Sequence, residues 1–304
     1  MTRVWLPDSP EAFGGLPAGI EADVWKGGEE LPPSADEVEF VVFPVGVGDP
    51  EITRKVTHLP RVKTIQILSA GADYILPFIP AGVTLCNARG AHTPATAEWT
   101  AGVIIASIRN FPRFAAGQLA GHWDPTVSDL VAGKRVLIVG YGSIGEAVER
   151  RLAGWEVTIV RVARHARDGV HPTEELPRLL PDADVVVILV PATEETRQLV
   201  NAEFLKTMKD GALLVNAARG VIVDTDALLA ELASGRLRAA LDVTDPEPLP
   251  DGHPLWSAPG LLLTPHVGGV VRASRERAYR VVADQLERLA SGQPLLNVVG
   301  PEGY

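Results

Sequence analysis

The sequence has one cysteine, no long apolar run and no cluster of basic residues, and each absence excludes a class of protein. Cys86 alone cannot form an internal disulfide or a thiolate metal cage within one chain, so we interpret it as a small apolar residue at the end of a strand. No apolar stretch reaches the ~20 residues of a membrane-spanning helix, and the N-terminus lacks the apolar region of a signal peptide. We therefore expect a cytoplasmic protein.

The charge of the chain restricts its partners. The formal net charge is −10, and the 28 lysines and arginines are scattered rather than grouped. Such a composition argues against nucleic acid or an anionic membrane as a partner. His92, His122 and His253 lack the spacing of a metal cluster, so we expect no bound metal. The expected partners are small molecules and a second copy of the chain.

The length and the apolar pattern predict two α/β domains. The 304 residues exceed the roughly 100 to 200 of a typical domain, and the apolar fraction of 46% can supply two cores. Short apolar runs alternate with polar or helical segments, as in parallel sheets. The predicted strands of a first sheet are Arg3–Leu6, Ile20–Trp25, Phe40–Pro44, Thr64–Leu68 and Thr84–Cys86. Those of a second sheet are Val136–Val139, Val157–Val160, Val185–Val190, Ala212–Val215, Ala239–Leu241 and Leu261–Leu263.

Two long helical segments complete the predicted organisation. One covers 95–110, between the two sets of strands, and the other covers 272–290 and returns the chain to the first domain. We predict an α/β fold with two doubly wound parallel-sheet domains, the larger a Rossmann domain, and a cleft between them. The substrate domain is predicted at 1–92 and 274–304, and the dinucleotide-binding domain at 93–273.

Three strand ends of the second sheet carry polar residues suited to catalysis. Arg219, Glu247 and His266 each follow one of the apolar runs. Because the carboxyl ends of parallel strands lie at one edge of a sheet, we expect these side chains to converge on one crevice. A cation, an acid and an imidazole can together hold a carboxylate and move a proton.

A glycine-rich turn predicts a nucleotide site. The strand Val136–Val139 leads directly into the sequence Gly140-Tyr141-Gly142-Ser143-Ile144-Gly145, and a helix follows. In this pattern Gly140 permits a tight turn, Gly142 lets a pyrophosphate approach the backbone, and Gly145 lets helix and strand pack closely. Amides at the helix start, at Ser143 and Ile144, can then bind the phosphates.

The residues after the predicted strand Val157–Val160 indicate which cofactor the site prefers. An NAD site usually presents an acid to the ribose there, but this chain has Arg161 and Arg164, with no acid before Asp168. Arginine can hold a 2′-phosphate through charge-assisted bonds. We therefore predict a preference for NADPH over NADH. The alternative is that both arginines are solvated surface residues and that either cofactor serves.

Several ordered motifs match one known family over most of the chain. They are Ser69-Ala70-Gly71-Ala72-Asp73, Thr96-Ala97-Glu98, the glycine turn, Val190 to Thr196, Asn216 to Asp224, Leu241 to Glu247, Pro254-Leu255-Trp256 and Thr264 to Gly269. The chain resembles the D-isomer-specific 2-hydroxyacid dehydrogenases, which include glyoxylate/hydroxypyruvate reductases and phosphoglycerate dehydrogenases. The resemblance implies a homodimer that exchanges a hydride between NADP(H), or NAD(H), and a small 2-oxo acid or D-2-hydroxy acid.

The resemblance also implies roles for particular residues. Arg219 would bind the substrate carboxylate together with the backbone amides of Ala70 and Gly71. His266 would exchange the proton, and Glu247 would orient its ring. An isolated imidazole titrates near about pH 6.5, which suits proton transfer near neutrality. The residues implied in cofactor binding beyond the glycine turn and the two arginines are Thr96, Pro191, Ala218, Asp242, His266 and Gly268.

Two alternatives to a 2-oxo acid reductase stay open. The same scaffold can oxidise another small anion, such as formate or phosphite, although formate dehydrogenases that resemble this chain carry Gln in place of Glu247. Some relatives act as corepressors, so a protein that senses NAD(P) and binds a partner is the second alternative. Turnover of NADPH with a 2-oxo acid separates these possibilities.

Overall fold

The computed structural model describes residues 1–47 and 49–300. Gly48 and residues 301–304, which end the predicted substrate domain, lie outside the described residues. The chain forms two compact units. One contains Met1–His92 and the described part of Val270–Tyr304, and the other contains Thr93–Gly269.

Strands and helices alternate along most of the described chain. The strands are β1 (Thr2–Leu6), β2 (Ile20–Val24), β3 (Val38–Phe43), β4 (Thr64–Ile67), β5 (Thr84–Cys86), β6 (Arg135–Val139), β7 (Thr158–Ala163), β8 (His171–Pro172), β9 (Val185–Ile188), β10 (Leu213–Asn216), β11 (Arg238–Leu241) and β12 (Leu261–Leu263). The α-helices are α1 (Pro50–Thr57), α2 (Thr93–Ile108), α3 (Phe111–Leu119), α4 (Ser143–Leu152), α5 (Leu176–Leu179), α6 (Ala202–Thr207), α7 (Thr225–Ala233) and α8 (Arg272–Ala290). Single 3-10 turns lie at Pro10–Phe13, Leu76–Phe78, Thr173–Glu175, Leu180–Asp182, Gly220–Ile222 and Pro254–Ser257.

The first unit is built on a five-stranded parallel sheet. Its strand order is β2-β1-β3-β4-β5. Successive residues of a strand face opposite sides of the sheet, so Val4 and Leu6 lie in one core cluster and Trp5 in another. Helix α8 packs on one of these faces through Val282 and Leu286. The five strands predicted for this sheet are all present.

The second unit is built on a seven-stranded parallel sheet in the order β12-β11-β10-β9-β6-β7-β8. From β8 inward this is the Rossmann order 3-2-1-4-5-6 with one strand added at the far edge. Two apolar clusters cover its faces, one of them including Ala97, Ala101, Ile104 and Ile108 of α2 at helical spacing. The parallel arrangement brings the carboxyl ends of β6, β10, β11 and β12 to one edge of this sheet.

Two sequence-based expectations about this sheet are wrong. The sequence predicted six strands and missed β8, because a two-residue strand of His and Pro has no apolar pattern. The predicted end of β7 at Val160 is also wrong, because the strand continues to Ala163 and buries Val162. Arg161 therefore lies within the strand rather than in the loop after it. A half-buried charged residue between two buried ones interrupted the apolar run in the sequence.

Among the described residues, the helices include none with the length and apolar character needed to cross a membrane.

Cys86 provides a test of the packing around the first sheet. Its side chain has 0% exposure, and burial raises the pKa of its thiol to about 11. Because the thiolate is the reactive form, we expect the folded protein to react negligibly with a disulfide reagent such as DTNB at about pH 8. One thiol per chain should react after denaturation, since the sequence has one cysteine. Rapid reaction of the folded protein would contradict the packing described for β5.

Candidate active site

The glycine turn after β6 combines two close contacts with one open position. Gly140 has a φ of 103°, and a Cβ on it would lie 2.5 Å from the backbone carbon of Leu189. A Cβ on Gly145 would lie 3.1 Å from the carbonyl oxygen of Gly140, which keeps α4 close to the strand. Only glycine fits the first position without displacing backbone, and the second leaves little space for any side chain.

Gly142 is the open position of the turn. An added Cβ there would meet no atom within 4 Å, and both Gly142 and Ser143 are exposed. Helix α4 begins at Ser143, and the first amides of any α-helix have no acceptor within the helix. An exposed backbone followed by these amides can hold a pyrophosphate, so the turn fits a dinucleotide.

Two other predicted cofactor residues, Thr96 and Pro191, lie in different settings. Thr96 is buried within α2, whereas the hydroxyl of Thr93, at the start of the helix, lies 3.4 Å from that of Ser143. Pro191 follows β9, and its carbonyl accepts a hydrogen bond from the hydroxyl of Thr196 at 2.6 Å.

Arg161 is paired with an acid, which changes its expected role. Its Nε donates to Glu149 Oε2 at 2.7 Å, and its Nη2 donates to the other carboxylate oxygen. The hydroxyl of Tyr141 also donates to Glu149. The hydrogen bond from Arg161 lowers the pKa of the Glu149 carboxyl, while burial raises the pKa of Tyr141. The Arg161 charge is therefore matched by Glu149 rather than left for a phosphate.

Two other arginines lie in the segment that follows β7. Arg164 is the first residue after the strand, with a side chain 47% exposed, and its Nη2 is 3.6 Å from Glu195 Oε2. Arg167 is exposed and donates from Nη2 to the carbonyl of Tyr141 in the glycine turn. Its guanidinium lies 5.7 Å from the centre of the Tyr141 ring. The sequence singled out Arg161 and Arg164 but not Arg167.

Asn216 holds the turn that carries Arg219. Asn216 ends β10 and has 0% exposure. Its Oδ1 accepts from the amide of Ala218 at 3.0 Å, and its Nδ2 donates to the carbonyl of Arg219 at 2.9 Å. The guanidinium of Arg219 donates through Nη1 to the carbonyl of Ala218 at 2.7 Å. The buried side-chain amide of Asn216 thus fixes the backbone of Ala218 and Arg219, two predicted site residues.

The segment that leads to Glu247 packs directly on this turn. A Cβ on Gly220 would lie 1.8 Å from the carbonyl oxygen of Thr244. No side chain fits between the two backbone segments. Glycine at this position therefore brings the ends of β10 and β11 together.

His266 and Glu247 form a hydrogen-bonded pair. Nδ1 of His266 lies 2.5 Å from Oε1 of Glu247, and the two side chains are 44% and 39% exposed. Because a carboxylate can only accept, Nδ1 is the protonated nitrogen of this contact. Nε2 is then the ring atom left to exchange a proton with a substrate. The arrangement can orient the ring and stabilise its charged form.

A pocket of about 350 Å³ adjoins this pair within the second unit. Trp256 on its wall is 56% exposed and donates to the carbonyl of Pro250 at 2.9 Å. The lining residues are Asp242, Thr244, Glu247, Pro248, Leu249, Trp256, Leu263, Thr264, Pro265 and His266. Most of the pocket surface is apolar, and its polar residues lie in the segments that follow β11 and β12.

Asp242 and Gly268 contact each other. Asp242 follows β11 and is 4% exposed, and its Oδ2 accepts from the amide of Gly268 at 2.8 Å. The family resemblance implied cofactor binding by both residues, with Asp242 near the nicotinamide amide. Their carboxylate and amide groups contribute to the backbone arrangement around His266, and cofactor contact by either one stays a prediction.

Ala70 and Gly71 lie in the first unit, in the loop after β4. Asn87 Nδ2 donates to the carbonyl of Ala70 at 2.8 Å, and the hydroxyl of Ser69 donates to that of Gly71 at 2.9 Å. These contacts hold the loop in place. Its role in binding a carboxylate stays a prediction.

Within residues 1–47 and 49–300, the His, Cys, Asp and Glu side chains form no cluster suited to a metal ion.

A parallel Rossmann sheet, a glycine turn that fits a pyrophosphate, and an imidazole–carboxylate pair after neighbouring strands define a dinucleotide-dependent dehydrogenase. The family model described as "D-isomer specific 2-hydroxyacid dehydrogenase, NAD binding domain" matches residues 101–268. The chain belongs to the D-isomer specific 2-hydroxyacid dehydrogenase family.

Individual relatives agree with this assignment. A glyoxylate reductase of Thermofilum pendens is 36% identical over 249 residues, which cover 77% of this chain and 74% of the relative. A glycerate dehydrogenase of Methylorubrum extorquens is 32% identical over 255 residues, which cover 78% and 79%.

Solved structures share the fold over the whole chain. A D-isomer specific 2-hydroxyacid dehydrogenase of Xanthobacter autotrophicus Py2 in complex with NADPH and MES has a TM-score of 0.83 at 28% identity, covering 100% of this chain and 99% of that one. An NADPH-dependent glyoxylate/hydroxypyruvate reductase of Sinorhizobium meliloti in complex with NADP and sulfate has a TM-score of 0.83 at 26% identity, covering 100% of both.

The contact at Gly220 provides a test of the site's construction. Replacing Gly220 by Ala should lower the free energy of unfolding by about 2 kcal/mol or more, because the methyl group overlaps backbone that cannot rotate away. It should also disturb the Glu247 segment and lower kcat. Gly154→Ala is the matched control, since a Cβ there meets nothing within 4 Å. Urea unfolding and turnover of both variants provide the comparison, and equal stability of the two would contradict the close approach.

Proposed function

We propose that this protein reduces small 2-oxo acids to D-2-hydroxy acids with NADPH, and that His266 supplies the proton. The observation that carries the proposal is the hydrogen bond between His266 Nδ1 and Glu247 Oε1 at the strand ends of a Rossmann sheet. Membership of the 2-hydroxyacid dehydrogenase family supports the reaction class. Relatives named glyoxylate reductase and hydroxypyruvate reductase support a small 2-oxo acid as the substrate.

The roles proposed for the chain's own residues follow from their chemistry. His266 gives the proton on Nε2 to the carbonyl oxygen, and Glu247 stabilises the charged ring and keeps it oriented. The planar guanidinium of Arg219 binds the carboxylate of the substrate. The backbone of Gly142 and the first amides of α4 hold the pyrophosphate of the cofactor. When bound, the nicotinamide supplies the hydride that reduces the carbonyl carbon.

The proposed preference for NADPH rests on Arg164 and Arg167. Both lie in the segment that follows β7 and both are exposed, and Arg167 donates to the carbonyl of Tyr141 in the glycine turn. Arg161 contributes indirectly, because its ion pair with Glu149 holds Tyr141 beside them. The complexes of two structural relatives with NADPH or NADP support this preference.

A homodimer and a cytoplasmic location stay predictions. The helix α3 has no buried residue, and Phe111, Leu119 and Trp123 are 51%, 92% and 91% exposed, which supports a contact with a second copy. Trp99, on the neighbouring helix α2, donates its indole N–H to Thr264 within its own unit.

Replacing His266 by Asn tests the proton-transfer role. The variant should lower kcat about 10²- to 10⁴-fold, as expected for loss of a general acid, with little change in the Kd for NADPH. His122→Asn is the control, since His122 is an exposed histidine elsewhere in the same unit. Absorbance loss at the NADPH band is followed with glyoxylate, hydroxypyruvate and pyruvate.

Two results would contradict the proposed function. Turnover by His266→Asn at the original rate would remove this residue from proton transfer. A protein that binds NADPH but consumes none with any 2-oxo acid would instead be a sensor of the nucleotide.

Cofactor choice is tested with Arg164→Ala and Arg167→Ala. Each should lower the ratio of kcat/KM for NADPH to that for NADH by about tenfold to a hundredfold, as expected for a lost bond to a charged group. Arg150→Ala removes the same charge from an exposed position on α4 and should leave the ratio unchanged. The proposal fails if the unaltered protein prefers NADH, or if the control shifts the ratio as much as the two variants do.

A further inference from the structure

His266 occupies an uncommon backbone conformation that its surroundings must maintain. Its φ is 54°, in the left-handed region that residues other than glycine seldom adopt. Its amide donates to the carbonyl of Asp242 at 2.7 Å. Residues held in this region persist only where neighbouring contacts fix the chain. The contacts that do so for His266 therefore determine where its ring lies.

The side chain of Asp242 provides contacts on both sides of His266. Oδ1 accepts from the hydroxyl of Thr264 at 2.6 Å and from the amide of Val267 at 2.9 Å. Oδ2 accepts from the amide of Gly268 at 2.8 Å. One buried carboxylate thus ties the residues before and after His266 to the end of β11.

Trp99 determines which way the hydroxyl of Thr264 donates its proton. Nε1 of Trp99, on α2, lies 3.0 Å from this hydroxyl. An indole N–H can only donate, so the hydroxyl oxygen must accept there. The single hydroxyl proton is then directed to Asp242. The result is a chain of two hydrogen bonds: the indole of Trp99 donates to the hydroxyl of Thr264, and that hydroxyl donates to the carboxylate of Asp242.

We infer that Trp99 and Thr264 are positioning residues for His266. The Trp99–Thr264–Asp242 chain keeps the loop in the conformation that sets the His266 ring against Glu247. This inference rests on the proposed function of His266 in proton transfer. It assigns Trp99 an internal task that is independent of any contact with a second copy. The two residues act through the loop that carries His266.

Thr264→Val and Thr264→Ser form the central pair of the test. Valine keeps the shape of threonine but removes the hydroxyl, so kcat should fall about 10- to 100-fold, the loss expected when a catalytic group moves by a fraction of an ångström to 1 Å. The Kd for NADPH should change by a smaller factor than kcat, because the glycine turn that holds the pyrophosphate in the proposed function is untouched. Serine keeps the hydroxyl and should restore most of kcat.

Two further variants separate positioning from general stability. Trp99→Phe removes the indole donor and keeps an aromatic side chain, and it should lower kcat by a smaller factor, about threefold to tenfold. Thr207→Val is the matched control, since it removes a hydroxyl that bonds only the carbonyl of Glu203 in α6. It should leave kcat unchanged.

A measurement independent of turnover completes the test. The NMR signal of the proton on His266 Nδ1 reports the hydrogen bond to Glu247. It should be present in the unaltered protein and in Thr264→Ser, and shifted or lost in Thr264→Val. A kcat and an Nδ1 signal that both stay unchanged in Thr264→Val and in Trp99→Phe would overturn the inference, as would equal loss of kcat in the valine and serine variants.

Failure of the proposed function has a different signature. If the unaltered protein turns over no 2-oxo acid, the proposed reaction is wrong. The Nδ1 signal still reports whether Thr264 positions the ring.

Discussion

Asp242 carries a carboxylate that is almost inaccessible to water, and a buried anion is tolerated only where donors surround it. Here the donors come from Thr264, Val267 and Gly268. The loop between β12 and α8 must follow Asp242 closely in order to supply them, and Gly268 is needed because a Cβ would lie 2.8 Å from Oδ2. The need of the buried Asp242 carboxylate for hydrogen-bond donors therefore determines the backbone conformation around His266.

The same principle recurs at the other strand ends. Buried Asn216 satisfies both an amide and a carbonyl of the turn that carries Arg219. Gly140 and Gly220 let backbone segments approach where any side chain would intervene. The buried side chains of Asn216 and Asp242, at the ends of β10 and β11, and the glycines at the two turns thus hold the backbone of the site in place. The reactive side chains of Glu247 and His266 are partly exposed, because other residues make the buried contacts that fix the loops.

Much of the fold was predictable because buried parallel strands leave continuous apolar runs. The runs at 136–139 and 261–263 identified β6 and β12 almost to the residue. The pattern fails where a strand is short or polar. Strand β8 has two residues, and β7 contains Arg161, whose charge is matched by Glu149. The wrong end predicted for β7 also affected the predicted cofactor site, because it placed Arg161 in a loop and left Arg167 out of consideration.

The sequence by itself determined which residue types stand at the strand ends, since apolar periodicity and glycine spacing are local properties of the chain. Only the tertiary structure decided which of them meet. The hydrogen-bonded residues are far apart in the sequence: 19 positions separate His266 from Glu247, 12 separate Arg161 from Glu149, and 165 separate Thr264 from Trp99. Such partners depend on the packing of whole strands and helices, and hydrogen bonds over these separations leave no periodic signal in the sequence. For this reason the sequence does not show that Trp99, on α2, donates a hydrogen bond to Thr264 beside the histidine.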